Sequence, residues 1–191
     1  LGEGSSCRFN NVNSEESRKA VKERRVWAVN ALKTLLIDQF EFHDLPCGRF
    51  DQIPLIEINK IIERTIKIFK PDIVFTHSDV DSNNDHKIVY KASVIATRPC
   101  NEHIVKKLIS YEVLSSSEWS YVSTFIPNYF VKISEKNLLK KWDALKCYKT
   151  EMRADPFPRS WRGVQNLAIQ RGIQSGLEYA EAFKIIREFR T

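Results

Sequence analysis

From Pro71 to His86 the chain reads Pro-Asp-Ile-Val-Phe-Thr-His-Ser-Asp-Val-Asp-Ser-Asn-Asn-Asp-His, and its most reactive side chains gather there. An apolar run, Ile73-Val74-Phe75, opens into a loop of carboxylates, amides and two histidines. The loop then passes into a helical segment, Lys87 to Thr97. In open α/β sheets, ligands bind beyond the carboxyl ends of strands, where such loops lie. Oxygen and imidazole donors crowded together suit a metal or a hydrolytic site. The same residues also suit an Asx-turn-rich connector that caps the following helix. On these residues alone, both readings stand.

The elements that must carry this loop follow from periodicity and capping. Ser14, followed by Glu15 and Glu16, signals a helix N-cap with acids in the first turn. Val21, Arg25, Ala28, Val29, Leu32, Leu35 and Leu36 then recur at helical spacing. Gln39 to Phe42 alternates in polarity and predicts a short strand. Leu45 to Asp51 is a loop, and Pro54 suits the first turn of a helix running to about Phe69. Ile58, Ile61, Ile62 and Ile66 form the buried stripe of that helix. Strands are expected over 72–76, 108–113 and 129–133. Ser134 caps a further helix with Leu138, Leu139, Trp142 and Leu145 facing inward. From Ser160 onward the chain reads mainly as helix, broken near Gly172 and Gly176. Strands alternating with helices imply an α/β fold with a mostly parallel sheet.

Composition narrows the class. The 191 residues suffice for one domain with a real core, expected over 1–191. No segment is apolar over the length needed to cross a bilayer, and no signal peptide is visible. These features predict a cytoplasmic protein. The net charge of +6 comes from 30 basic and 24 acidic residues, dispersed along the chain. No dense basic tract and no nucleic-acid motif accompany it, so a nucleic-acid partner is not expected. Cys7, Cys47, Cys100 and Cys147 form no CxxC pair and read as reduced thiols.

Thr76-His-Ser-Asp-Val-Asp-Ser-Asn-Asn-Asp-His86 resembles the THxxxDxNxDH segment of the PIG-L (LmbE-like) family of zinc-dependent N-acetylglucosaminyl deacetylases. Leu1-Gly-Glu-Gly-Ser-Ser-Cys-Arg8 resembles that family's GE-xx-SR turn, with Cys7 at the usual serine. Gly48 to Asp51, Thr97 to Pro99, Ser110 to Val113, Glu118-Trp119, Pro158 to Ser160, Arg171-Gly172 and Tyr179 to Phe183 also match, in order. The resemblance implies a Rossmann-like three-layer sandwich and a hydrolase that removes the N-acetyl group from an N-acetylglucosamine-type sugar. It implies one zinc ion, an N-acetylated sugar substrate, and leaves a homo-oligomer open.

By the same resemblance, His86 is a zinc ligand and Asp85 a carboxylate that orients neighbouring groups. Asn83 stands where several branches carry an oxyanion-stabilising histidine; its amide donates a hydrogen bond but delivers no proton. His77 either covers the missing proton transfer or is a strand-end imidazole satisfied by backbone. Asp81 either contacts sugar hydroxyls or braces the loop through an Asx turn. Arg8 and Arg159 are the substrate-binding arginines the resemblance offers, with a surface arginine as the other reading of Arg8. Trp119 suits either sugar stacking or packing. Cys47 replaces a frequent aspartate and Phe157 a frequent histidine, which bears on sugar specificity.

The family's AHPDDE motif does not occur; the only histidines are His43, His77, His86 and His103. The chain reads as starting just after that motif and its strand. On this reading it is an inactive copy of the enzyme, marginally stable or prone to associate. The competing reading is a non-catalytic carbohydrate-binding or interaction module on the same fold.

Overall fold

The computed structural model describes residues 1–100 and 102–190, which divide into two compact units. The first unit comprises Leu1–Phe50 and Lys132–Glu181. It contains α1 (Glu15–Thr34), α4 (Glu135–Lys146) and α5 (Trp161–Ser175), and α1 packs on α4, α4 on α5. Ser14, Ser134 and Ser160 cap these helices, each accepting from the backbone N–H three residues on. Leu138 and Ala144 are buried, whereas Leu139, expected inward, is 45% exposed. Likewise α1 ends at Thr34, so Leu35 and Leu36 fall past the stripe; Leu36 turns to a φ of 61° and is 82% exposed.

Asp51–Val131 and Ala182–Thr191 make up the second unit. It holds α2 (Leu55–Phe69), β1 (Ile73–Thr76), α3 (Asn84–Ala96), β2 (Lys107–Tyr111), and most of β3 (Tyr129–Lys132) and β4 (Ala180–Glu188). The isoleucine stripe of α2 packs as its spacing demands: Ile58 and Ile66 are buried. Ile66, Ala96 and Val105 form a cluster against which Ile62 and Val74 pack. Burying such side chains is worth roughly 1.5–3 kcal/mol each. Pro54 caps α2 and Lys70 closes it in the left-handed region.

The α/β class is as expected; the strand directions are not. The sheet order is β1-β2-β4-β3. β1 and β2 run parallel, Ile73 opposite Lys107 and Thr76 opposite Ser110. β4 enters between β2 and β3 and runs antiparallel to β2, with a bulge beside Leu108 and Ile109. Asn128 N–H donates to the Phe183 carbonyl and Ile133 N–H to that of Tyr179, so β3 and β4 are antiparallel too. The mostly parallel sheet is therefore corrected to one parallel pair within a mostly antiparallel sheet. The cause lies in 180–188, expected as helix and found as a strand.

Two smaller expectations also change. Gln39 to Phe42 belongs to none of the four strands of the sheet, and its Phe40 and Phe42 rings lie 5.3 Å apart. The helix after the polar loop starts at Asn84 rather than Lys87, which brings Asp85 and His86 into its first turn. β1 is an edge strand, and Ile73 and Phe75 remain 46% and 51% exposed on it. No helix among the described residues is long and apolar enough to cross a membrane.

Gly172 does not break α5; it lets the helix end tuck against the chain that follows. A Cβ there would lie 2.5 Å from the Leu177 carbonyl oxygen and 2.6 Å from that of Glu178. Both obstacles are backbone and cannot swing away. Gly172→Ala is expected to cost about 1–3 kcal/mol in urea unfolding. An unchanged midpoint would mean that the approach is looser than described.

Candidate functional site

The loop leaving β1 is organised from its two ends. At the strand end, the Thr76 hydroxyl lies 2.9 Å from that of Ser93 on α3, and both residues are buried. At the helix end, Asn83 is the N-cap of α3, its Oδ1 accepting the Asp85 N–H at 2.9 Å. Between them sits Asp81, with no solvent exposure at all. Its Oδ1 accepts the Asn83 N–H at 2.8 Å and the Ser116 hydroxyl. Its Oδ2 lies 3.0 Å from His86 Nδ1. Ser82 Oγ donates to the Ser116 carbonyl at 2.7 Å, tying the loop to the segment after β2 a second time.

Burial pushes the Asp81 carboxyl up, but the hydrogen bonds from His86, Ser116 and the Asn83 N–H outweigh it and hold it below the usual value. An ionised carboxylate only accepts, so the 3.0 Å approach calls for an N–H on His86 Nδ1 and leaves Nε2 as the outward nitrogen. The His77 ring stacks on His86 at 4.1 Å, and its Nε2 lies 3.4 Å from the Tyr111 hydroxyl. Burial and the neighbouring His86 lower the His77 pKa to about 3. His77 is therefore an uncharged imidazole at neutral pH and has no extra proton to give.

The structure thus brings His77, Asp81, Asn83, Asp85 and His86 together around the start of α3. It also redistributes their tasks. The carboxylate on His86 is Asp81, not its neighbour Asp85, which is buried in the first helical turn. Asp81 has the geometry of the brace and no surface with which to touch a sugar. Tyr111 and Ser116 were not singled out by sequence; Tyr111 lay in a matching block, while Ser116 carried no signal.

Arg8 and Arg159 meet in the first unit, on Glu151. Arg8 and Arg24 share its Oε1, and Arg159 Nη1 lies 2.9 Å from Oε2. Arg8 also reaches the Thr150 hydroxyl at 3.2 Å. Three guanidiniums on one carboxylate leave two positive charges in excess. Arg24, Glu151 and Arg159, with Glu3, Gly4 and Tyr148, line a cavity of about 510 Å³. Arg159 Nε is buried there without a hydrogen-bond partner. Glu151 and Arg24 had no motif to mark them. Trp119 lies in a short 3-10 turn, 44% exposed.

Among the described residues, one imidazole is oriented by a carboxylate in the β1–α3 loop. His86, with Nδ1 on a buried carboxylate, has the arrangement that fixes a metal-binding imidazole. Yet no three His, Cys, Asp or Glu side chains among the described residues are grouped to hold a metal. The residues present do not by themselves fit a zinc site.

Two predictions follow from these geometries. Asp81→Asn turns an amide N–H toward His86, so the imidazole proton is expected to move to Nε2. Nitrogen-detected NMR of the ring reads this directly, and an unmoved proton would contradict the assignment. Burial raises the Glu151 carboxyl, but its arginine partners prevail and its pKa is depressed. That stability is full above about pH 4.5, the unfolded value, and is lost as pH falls through the lower folded value. Glu151→Gln is expected to lose about 1–3 kcal/mol at pH 7, the partly exposed arginines limiting the figure, and to flatten this acid limb of a denaturation series.

The fold is shared with several solved structures. N,N'-diacetylchitobiose deacetylase from Pyrococcus horikoshii superimposes with a TM-score of 0.69 at 19% identity, over 91% of this chain and 67% of that one. GalB, the 4-carboxy-2-hydroxymuconate hydratase of Pseudomonas putida KT2440, gives 0.69 at 20%, over 100% and 82%. A deacetylase of teicoplanin biosynthesis gives 0.66 at 18%, over 90% and 75%. No curated protein sequence matches significantly. The family model described as PIG-L, GlcNAc-PI de-N-acetylase, matches residues 2–97 and so takes in the Arg8 turn, β1, and the loop and helix that carry Asp81 and His86. The chain belongs to the PIG-L family.

Proposed function

We propose that this chain serves a metal-dependent hydrolase that removes the N-acetyl group from an N-acetylglucosamine-type sugar. The observation that carries the reading is His86 in the first turn of α3, its Nδ1 held by Asp81 and its Nε2 left for a ligand bond. Family membership and the deacetylases that share the fold support it. His86 is the residue here oriented toward a metal, and the described residues group no further ligands with it.

The chain's own residues do the rest. Asn83 spends its Oδ1 on the helix cap, which leaves its amide nitrogen to donate to a developing oxyanion. Neutral His77 packs and orients His86 rather than delivering a proton. Asp85 contributes its negative charge to the positive end of α3. In the first unit, Arg8, Arg24 and Arg159 suit a substrate bearing phosphate or other anionic groups beside its hydroxyls. With one ligand placed, the chain alone is inactive. The exposed edge of β1 supports self-association. A cytoplasmic setting fits the absence of a membrane-crossing helix among the described residues.

A second reading, a non-catalytic carbohydrate-binding module, is favoured by the lack of a three-ligand group among the described residues. Elemental analysis and calorimetry on the untagged chain separate the two. The hydrolase reading expects less than one equivalent of zinc, lost in His86→Ala, no acetate release, and binding of an N-acetylglucosaminyl glycoside. Arg159→Ala should weaken that binding about tenfold or more. Glycan affinity with no zinc uptake, unchanged by a chelator, would establish the module. Failure to bind any N-acetylated sugar would overturn both.

A further inference from the structure

Cys7 and Cys47 are 40 residues apart in the chain, yet their Sγ atoms stand 3.2 Å apart. The approach is held in place by several independent contacts. Gly2 and Leu45 form a parallel bridge, with Glu3 N–H donating to the Leu45 carbonyl and Leu45 N–H to that of Leu1. The Glu3 carboxylate accepts the N–H groups of Ser5 and Ser6 at 2.7 and 3.0 Å, and that of Cys47 at 2.7 Å. One carboxylate therefore shapes the turn that carries Cys7 and anchors the loop that carries Cys47. Gly48 has a φ of +73°, and a Cβ there would come within 3.0 Å of the Cys7 Cβ. A glycine at 48 is what admits the Cys7 side chain.

We propose that Cys7 and Cys47 form a reversible dithiol–disulfide pair whose oxidation staples the Cys7-Arg8 turn to the 45–48 loop. Neither is in a disulfide here; Cys7 is exposed and Cys47 partly so. The oxidant is a low-molecular-weight disulfide, RSSR. The Cys7 thiolate attacks one of its sulfurs, the RS–SR bond breaks, and a mixed disulfide forms with release of one thiolate. The Cys47 thiolate then attacks the Cys7 sulfur and expels the second thiolate. The two protein protons end on two RSH molecules, so the protein loses two electrons and RSSR gains them. Reaching the S–S bond length of about 2.05 Å asks for about 1 Å of closure, within reach of side-chain rotation at exposed Cys7. Arg8, next in sequence, sits on Glu151, so the staple restrains the arginine cluster as well. The proposal stands on this geometry and not on the deacetylase reading.

The test equilibrates the full chain in buffers of reduced and oxidised glutathione, with acid quench, alkylation and peptide mapping by mass spectrometry. The expected product is a Cys7–Cys47 cross-link with Cys100 and Cys147 alkylated. Its equilibrium constant against glutathione should fall about tenfold or more in denaturing urea, where the two loops are no longer held together. In Cys47→Ser the cross-link should vanish and leave a glutathione adduct on Cys7. Cross-links spread over other pairs, an equilibrium constant indifferent to urea, or only glutathione adducts on the wild-type chain would overturn the proposal. The wild-type map decides even if the variant does not fold.

Discussion

A carboxylate without solvent access at position 81 is the constraint around which the second unit's chemistry is arranged. Ionised and buried, it is tolerable only with its lone pairs satisfied. The donors come from three places in the sequence: the Asn83 backbone, the imidazole at the head of α3, and the hydroxyl of Ser116 beyond β2. Removing any one leaves part of a buried charge unmet, so loop, helix and following segment hold their positions together. The orientation of His86 is thus a consequence of Asp81's solvation rather than of helix geometry alone. A histidine at a helix start with no such partner would be free to choose its tautomer and rotamer.

Glu151 uses the same device to the opposite electrostatic end. It is nearly as buried, and its partners are three guanidiniums rather than neutral donors. Asp81 therefore closes its charge account locally, whereas Glu151 gathers cations that repel one another and leaves a surplus. Planar, fork-shaped donors around that carboxylate suit anions, while the adjoining cavity sets Arg24, Arg25 and Arg159 against Glu3, Glu41 and Glu151. The two units in this way present different chemistry: an oriented imidazole in one, and an arginine–carboxylate cluster in the other.

What could be read from sequence was what local physics decides. The α2 stripe, the serine caps of α1 and α4, and β1 with its polar loop all follow from spacing and capping, and all are present. β4 was not legible, because Ala180-Glu-Ala-Phe-Lys-Ile-Ile-Arg-Glu188 is rich in helix formers and its strand identity comes from pairing with β2 and β3. The carboxylate that meets His86 was not legible for a related reason. Asp85 is adjacent in sequence, but in the first helical turn adjacent side chains diverge, while Asp81 folds back through the loop. Glu151, Ser116 and the meeting of Cys7 with Cys47 depend on contacts across 34 or more residues, which no single-sequence pattern records.

The fold fixes where chemistry happens more firmly than which chemistry it is. At 18–20% identity it is shared with two deacetylases and with a hydratase, so the fold by itself does not select one reaction. The loop after β1 is the fold's contribution, since a strand end leading into a helix N-terminus offers donors and a positive dipole to a ligand. The side chains on that loop narrow the choice. An imidazole held by a carboxylate suits a metal, an asparagine amide suits an oxyanion, and a neutral His77 with a pKa of about 3 is unsuited to protonating a leaving amine. An amide hydrolase assembled on these residues must therefore draw its general acid from outside the β1–α3 loop. That requirement separates this chain from one in which a histidine occupies position 83 and could do both tasks itself.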